Sequence, residues 1–163
     1  MKPEIIIIAA VAKNNMIGNK GKISWYIKED FQHFKKKTLG YPCIMGDVTY
    51  ESLPIKPLPG RENIVLTFQN DYHPEGATIF SSFETALKHC QNHQKVFVIG
   101  GASIYKQAFQ FADTLEITRI HRDFEGDTTF PEIKDSEWEL VAQKDHVHEQ
   151  YGPYSFLTYH RCF

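Results

Sequence analysis

Four consecutive isoleucines, Ile5 to Ile8, continue through Ala9, Ala10, Val11 and Ala12 without a polar residue. β-Branched side chains are stiff at χ1 and disfavour helix, and an apolar run of this length matches a strand buried on both faces. Such a strand needs helices above and below it, so this stretch alone points to an α/β sheet. It is far short of the roughly 18 to 20 residues that cross a bilayer. Lys2, the isoleucine tetrad and Ala10-Val11-Ala12 also imitate a secretory leader with its A-x-A cleavage site. Glu4 breaks the charged start of that pattern and the apolar stretch is short, so the central-strand reading is preferred.

The rest of the chain is cut into strand-like and helix-like pieces by Gly, Pro, Asn and Asp, with no linker, repeat or low-complexity tract. Strands are expected at Ile5 to Ala12, Cys43 to Met45, Asn63 to Phe68, Thr78 to Phe80 and Val96 to Ile99. Helices are expected at Lys28 to Thr38, where Ile27, Phe31 and Phe34 have helical spacing, at Ser82 to Cys90 behind a Ser cap, and at Ser103 to Phe111. That alternation implies crossover units and parallel strands. The last third instead suggests strands at Thr114 to His121, Trp138 to His146 and Tyr154 to Arg161 between Gly-Asp and Gly-Pro turns. The expected fold is therefore a single α/β domain whose central sheet is mixed and mostly parallel. It has about eight strands, an antiparallel C-terminal end and about four flanking helices. At 163 residues, one domain with a sizeable core is the simplest organisation.

Composition narrows the function classes. Hydrophobic residues at 42% and charged residues at 23% exclude a disordered chain. Eighteen basic against 20 acidic residues give a net charge of −2, which offers no general attraction to a nucleic acid. Cys43, Cys90 and Cys162 are too few for a disulfide scaffold; they read as packing residues of a protein in a reducing cytoplasm.

Several residues could carry chemistry. Val96 to Ile99 runs into Gly100-Gly101 and then a helix beginning with Ala102-Ser103, a turn in which backbone N–H groups can approach a pyrophosphate. A Gly-Gly turn of this kind also occurs for packing alone. Asp30 shares a helix face with Phe34, so its carboxylate is either a partly desolvated group facing an N–H-rich heterocycle or an exposed acid favoured by the helix dipole. Pro57-Leu58-Pro59-Gly60-Arg61 is a rigid turn delivering an arginine, either to a carboxylate or to solvent. His89-Cys90-x-x-His93 has metal-like spacing but no third ligand in sequence, and no metal is expected. Lys35 to Lys37 complement a helix C-terminus. Gly18-Asn19-Lys20-Gly21-Lys22 lacks the Walker spacing and reads as a mobile loop, and no G-x-S-x-G marks a serine hydrolase.

Taken in order, Ile17-Gly18, Trp25, Asp30 with Phe34, Thr38-Leu39, Ile44-Met45-Gly46, Thr49 with Glu51-Ser52, Pro57 to Arg61, Ile99-Gly100-Gly101, Tyr105, and Gly126-Asp127-Thr128 with Phe130-Pro131 resemble bacterial dihydrofolate reductase along nearly the whole chain. The resemblance implies one dihydrofolate reductase-like domain over 1–163, a cytoplasmic monomer that touches neither membrane nor nucleic acid. It implies hydride transfer from NADPH to C6 of dihydrofolate with protonation at N5, and sensitivity to diaminopyrimidine and pteridine antifolates. Asp30, Trp25, Thr118 and Tyr105 match the catalytic group, with Asp30 at the pterin N3–H and 2-amino edge. Ile8, Phe31, Phe34, Leu53, Leu58 and Ile99 match the substrate walls, and Arg61 matches the arginine at the glutamate tail. Ala10, Ile17, Gly18, Gly46, Asp47, Thr49, Thr67, Gly100, Gly101, Ala102, Ser103 and Ile104 match the cofactor contacts. Asn14 to Ser24 become a lid, steadied by Asp127 from a distant loop.

Some positions depart from that pattern. Ser24 precedes Trp25 where proline is usual, and Val48, Phe68 and Ser103 replace basic or hydroxyl residues. Asp47 stands where an arginine commonly meets the 2′-phosphate, which leaves NADH use open because a carboxylate can accept from a 2′-hydroxyl. The related pyrimidine reductase of riboflavin synthesis and a catalytically weak nucleotide- or pterin-binding module are the competing readings.

Overall fold

A computed structural model describes residues 2–18 and 25–162. In chain order its elements are β1 (Glu4–Ala12), β2 (Met16–Gly18), α1 (Lys28–Thr38), β3 (Cys43–Gly46), α2 (Asp47–Ser52), β4 (Asn63–Leu66) and β5 (Ala77–Phe80). They continue with α3 (Phe83–His89), β6 (Lys95–Gly100), α4 (Ala102–Ala108), β7 (Thr114–Ile120), β8 (Thr128–Thr129), β9 (Trp138–His148) and β10 (Gly152–Arg161). The main sheet has eight strands in the order β5-β4-β3-β6-β1-β7-β10-β9. Pairing is parallel from β5 to β7 and antiparallel for β10 and β9, as the change of sequence character after Thr114 implies. Among the described residues, no helix is long and apolar enough to cross a membrane.

β1 lies inside the sheet, and its alternation builds both core layers. Ile5, Ile7, Ala9 and Val11 pack with Phe83, Ala86, Ile104 and Ala108 beneath α3 and α4. Ile6 and Ile8 face the other way, with Met45, Tyr50 and Phe97, toward the cleft beside α1. Glu29 and Asp30 open α1 and Lys35 to Lys37 close it, both matched to the helix dipole. Ser82 caps α3 by accepting the Thr85 N–H at 3.2 Å.

Some boundaries and contacts differ from expectation. β4 stops at Leu66, because Thr67 turns its hydroxyl to Asp47 and Phe68 leaves the sheet, 88% exposed. α4 begins at Ala102 and ends at Ala108, short of Phe111, since Phe109 packs against Phe130 and Trp138 while Phe111 packs against Phe83. Cys43 and Cys90 are fully buried, but Cys162 is exposed at the end of the last strand and does not pack in the core. The short elements α2, β2 and β8 carry too few residues to show a period.

Candidate active site

The N-terminal turn of α1 meets β7 at one point. Thr118, buried on β7, donates its hydroxyl to Asp30 Oδ1 at 2.6 Å. Burial pushes the Asp30 carboxyl above its usual range, and the Thr118 hydrogen bond pulls back in the opposite direction. Ile8, Phe34, Leu53, Leu58 and Ile99 join one apolar cluster on this face of the sheet. Phe31 does not join it; 44% exposed, its ring stacks on Tyr26 with centroids 5.0 Å apart. Phe31 and Phe34 therefore line different depths of the same side.

Arg61 is placed by backbone and by α1 together. Its Nε donates to the Pro59 carbonyl at 2.9 Å and its Nη1 to Thr38 Oγ1 at 3.1 Å, which leaves further N–H donors for a carboxylate. Asn63, buried at the start of β4, locks the preceding turn. It accepts the Leu58 N–H at 2.9 Å and donates to the carbonyls of Leu58 and Arg61.

Across β1, two glycine turns come close together. A Cβ on Gly46 would meet Ile104 at 3.3 Å and one on Gly101 would meet Thr49 Oγ1 at 3.5 Å, so the β3–α2 and β6–α4 turns nearly touch. Gly100 has φ +120°, and a Cβ there would lie 3.2 Å from the Tyr105 hydroxyl. These turns sit at the carboxyl ends of neighbouring parallel strands, where open α/β sheets bind ligands, and backbone free of side chains fits a pyrophosphate. Ala102 and Ser103 open α4 beside them. The buried Tyr105 directs its hydroxyl toward the carbonyls of Ile8 and Ile99, each 2.9 Å away, and so ties β1 to β6 under the cleft.

Ala10 follows Ile8 on the same face of β1 and packs with Ala12 and Trp25, and Ile17 and Gly18 lie on β2. β2 is held by the distant β8 segment, with the Asp127 N–H donating to Gly18 O at 3.1 Å and the Phe130 N–H to Asn15 O at 2.8 Å. Buried Trp25 packs against Phe124 with centroids 4.8 Å apart. The expectations for residues 19–24, including Ser24, lie outside the described residues.

Asn63, Gln69 and Arg119 escaped sequence reasoning as supporting residues, and Thr38 entered it only as a motif residue. Thr38 and Asn63 position Arg61, and Gln69 donates to Asp47 Oδ2 at 2.8 Å. Arg119 donates to the Ala12 carbonyl and to Asn15 Oδ1, bracing the β1–β2 turn. Only Asn63, an amide at the head of an apolar strand, left a local signal. His89 and His93 face one carboxylate, Glu62, at 2.7 and 4.0 Å.

Comparison with known proteins places this geometry in a family. The model of the family described as dihydrofolate reductase matches residues 4–161. The chain is 45% identical over 157 residues to a dihydrofolate reductase of Neisseria gonorrhoeae, covering 96% of this chain and 97% of the relative. It is 40% identical over 159 residues to that of Bacillus subtilis, covering 96% and 94%. A solved dihydrofolate reductase from Enterococcus faecalis, complexed with NADP(H) and RAB-propyl, superposes with a TM-score of 0.89 at 37% identity, covering 98% of this chain and 97% of that one. The chain belongs to the dihydrofolate reductase family.

Proposed function

We propose that this chain is a dihydrofolate reductase, reducing 7,8-dihydrofolate to 5,6,7,8-tetrahydrofolate with NADPH for one-carbon metabolism. The observation that carries the reading is the Asp30–Thr118 pair, 2.6 Å apart beside an apolar wall, with the glycine turns of β6 and β3 on the other side of β1. When bound, NADPH supplies a hydride from its nicotinamide. Asp30 binds the pterin's N3–H and 2-amino edge and favours protonation at N5 through water, while Thr118 holds the carboxylate in place. Ile8, Phe34, Leu53, Leu58 and Ile99 exclude water around the ring and benzoyl group, with Phe31 at the mouth. Arg61 pairs with the α-carboxylate of the glutamate tail. The turns at Gly46 and Gly100-Gly101 would hold the pyrophosphate, and Ala10, Ile17 and Gly18 would border the nicotinamide. Tyr105 supports the floor under that ring, and Trp25 anchors the lid.

The protein is read as a cytoplasmic monomer of one domain, 1–163, whose cleft also takes diaminopyrimidine and pteridine antifolates. A pyrimidine reductase of riboflavin synthesis is not favoured, since Asp30 and Arg61 recognise a pterin and a carboxylate tail. The test follows absorbance at the nicotinamide band with dihydrofolate and NADPH. Steady, dihydrofolate-dependent oxidation is expected; its absence in folded protein that still binds NADPH would leave only a binding module.

A further inference from the structure

The glycine turns fit a pyrophosphate, but the strand ends beyond them do not fit the extra 2′-phosphate that separates NADPH from NADH. Asp30 and Thr118 place the reducible ring at β1 and β7, so the rest of a dinucleotide must cross the carboxyl ends of β6 and β3 toward β4. Three strand spacings of about 4.8 Å lead from β1 to β4, where Asp47 and Thr67 meet. We propose that Asp47 presents a ribose-hydroxyl acceptor at the adenosine end, and that this enzyme consequently discriminates only weakly between NADPH and NADH. The proposal rests on the reductase reading above.

Asp47 is a built feature and not a solvent-directed side chain. Its Oδ2 accepts from Thr67 Oγ1 at 2.7 Å and from Gln69 Nε2 at 2.8 Å, and its Oδ1 accepts from the Val48 N–H at 2.7 Å. These donors, Thr67 first, hold the carboxyl below its usual range, so it carries its charge at neutral pH. A carboxylate oxygen accepts more than one hydrogen bond, and Oδ1 therefore retains capacity for a hydroxyl. A phosphomonoester instead brings about −1.5 to −2 charges and only acceptors at neutral pH.

Among the described residues, no ion pair offsets that charge. The strand-end segments 46–51, 66–72, 80–82 and 100–105 contain Asp47, Glu51 and Asp71 and no lysine or arginine. Among the described residues, no lysine or arginine forms an ion pair with Asp47. Lys56, the cation that follows α2, is bound to Glu51 at 2.5 Å. The exposed side chains flanking Asp47 and Thr67 are Val48 and Phe68, at 69% and 88%. Both dinucleotides share the pyrophosphate, so this end alone discriminates between them.

Calorimetric titration of the full chain with NADPH and with NADH, at low and high salt, reads the preference without turnover. Wild type should bind the two within about tenfold of each other. Asp47→Arg should tighten NADPH about tenfold or more without tightening NADH, and salt should erode that gain. Asp47→Asn, which removes charge at constant size, should move the ratio toward NADPH in the same direction by about threefold and stands in if the arginine variant fails to fold. A wild-type preference for NADPH above tenfold, or variants that shift both dinucleotides alike, would overturn the proposal. If NADPH is strongly preferred while dihydrofolate is still reduced, only this inference fails; if neither dinucleotide binds, the reductase reading fails with it.

Discussion

On the proposed reading, Asp30 and Arg61 hold opposite ends of the substrate by different chemistry. Asp30 is an acid whose burial opposes its own ionisation, balanced by one hydroxyl donor. Asp30→Asn keeps the size and removes the charge, so hydride transfer at pH 7 should fall by about 10² to 10⁴ and recover partly in acid, where solvent protonates the pterin. A pH profile of the chemical step checks this; wild-type-like rates at pH 7 and above would contradict the role. Arg61 is anchored at Pro59 and Thr38, so the guanidinium is already oriented before a ligand arrives. Arg61→Leu should cost dihydrofolate about 1.5 to 3 kcal/mol of binding while a pterin without the glutamate tail loses far less. Equal losses for both ligands would make Arg61 a structural residue.

On the proposed reading, the nicotinamide side depends on the β2–β8 pair. A Cβ on Gly126 would lie 2.4 Å from the Gly18 carbonyl oxygen and 2.7 Å from the Met16 side chain. A backbone oxygen cannot swing aside as a side chain can, so Gly126→Ala must displace the segment carrying Ile17 and Gly18. Misplacement of that order costs up to about 10²-fold in rate. Single-turnover hydride transfer should therefore slow by at least about tenfold, with the melting temperature little changed because the main sheet is untouched. An unaltered rate would show that the pair does not position the nicotinamide side.

On the scale of the whole molecule, α1 is docked to the antiparallel end of the sheet through His33. Its ring stacks on Phe156 with centroids 4.0 Å apart at 13°, on the C-terminal strand. Burial first, then Lys37, His146 and Lys36, push its pKa down to about 4 from 6.5. The folded state thus refuses a proton that the unfolded chain accepts. No penalty exists above pH 6.5, and stability falls as pH drops from there toward 4. Discounted for the ring's partial exposure, the loss is about 1 kcal/mol, or roughly 2 to 4 °C in melting temperature. Melting curves from pH 7 to pH 4 should be flatter in His33→Phe, which keeps the aromatic stack; an identical slope would show that another group governs acid stability.

The main sheet and most helix positions were legible in the chain because their causes are local. Ile5 to Ala12 is apolar enough to demand cover on both faces, the α1 boundaries follow its charge asymmetry, and Ser82 announces its cap. The candidate site was legible mainly as an ordered set of motifs; from the residues alone, Asp30, Arg61 and Gly100-Gly101 each kept an ordinary structural explanation. Folding adds what local pattern cannot, by bringing together groups far apart in sequence. Thr118 reaches Asp30 across 88 positions, Thr67 reaches Asp47 across 20, and Arg119 reaches Ala12 across 107. No periodicity or propensity encodes such pairs, since each hydrogen bond exists only after the parallel crossovers have set their strands side by side. The orientation of Asp47, the exposure of Phe31 and the turn held by Asn63 are consequences of that assembly.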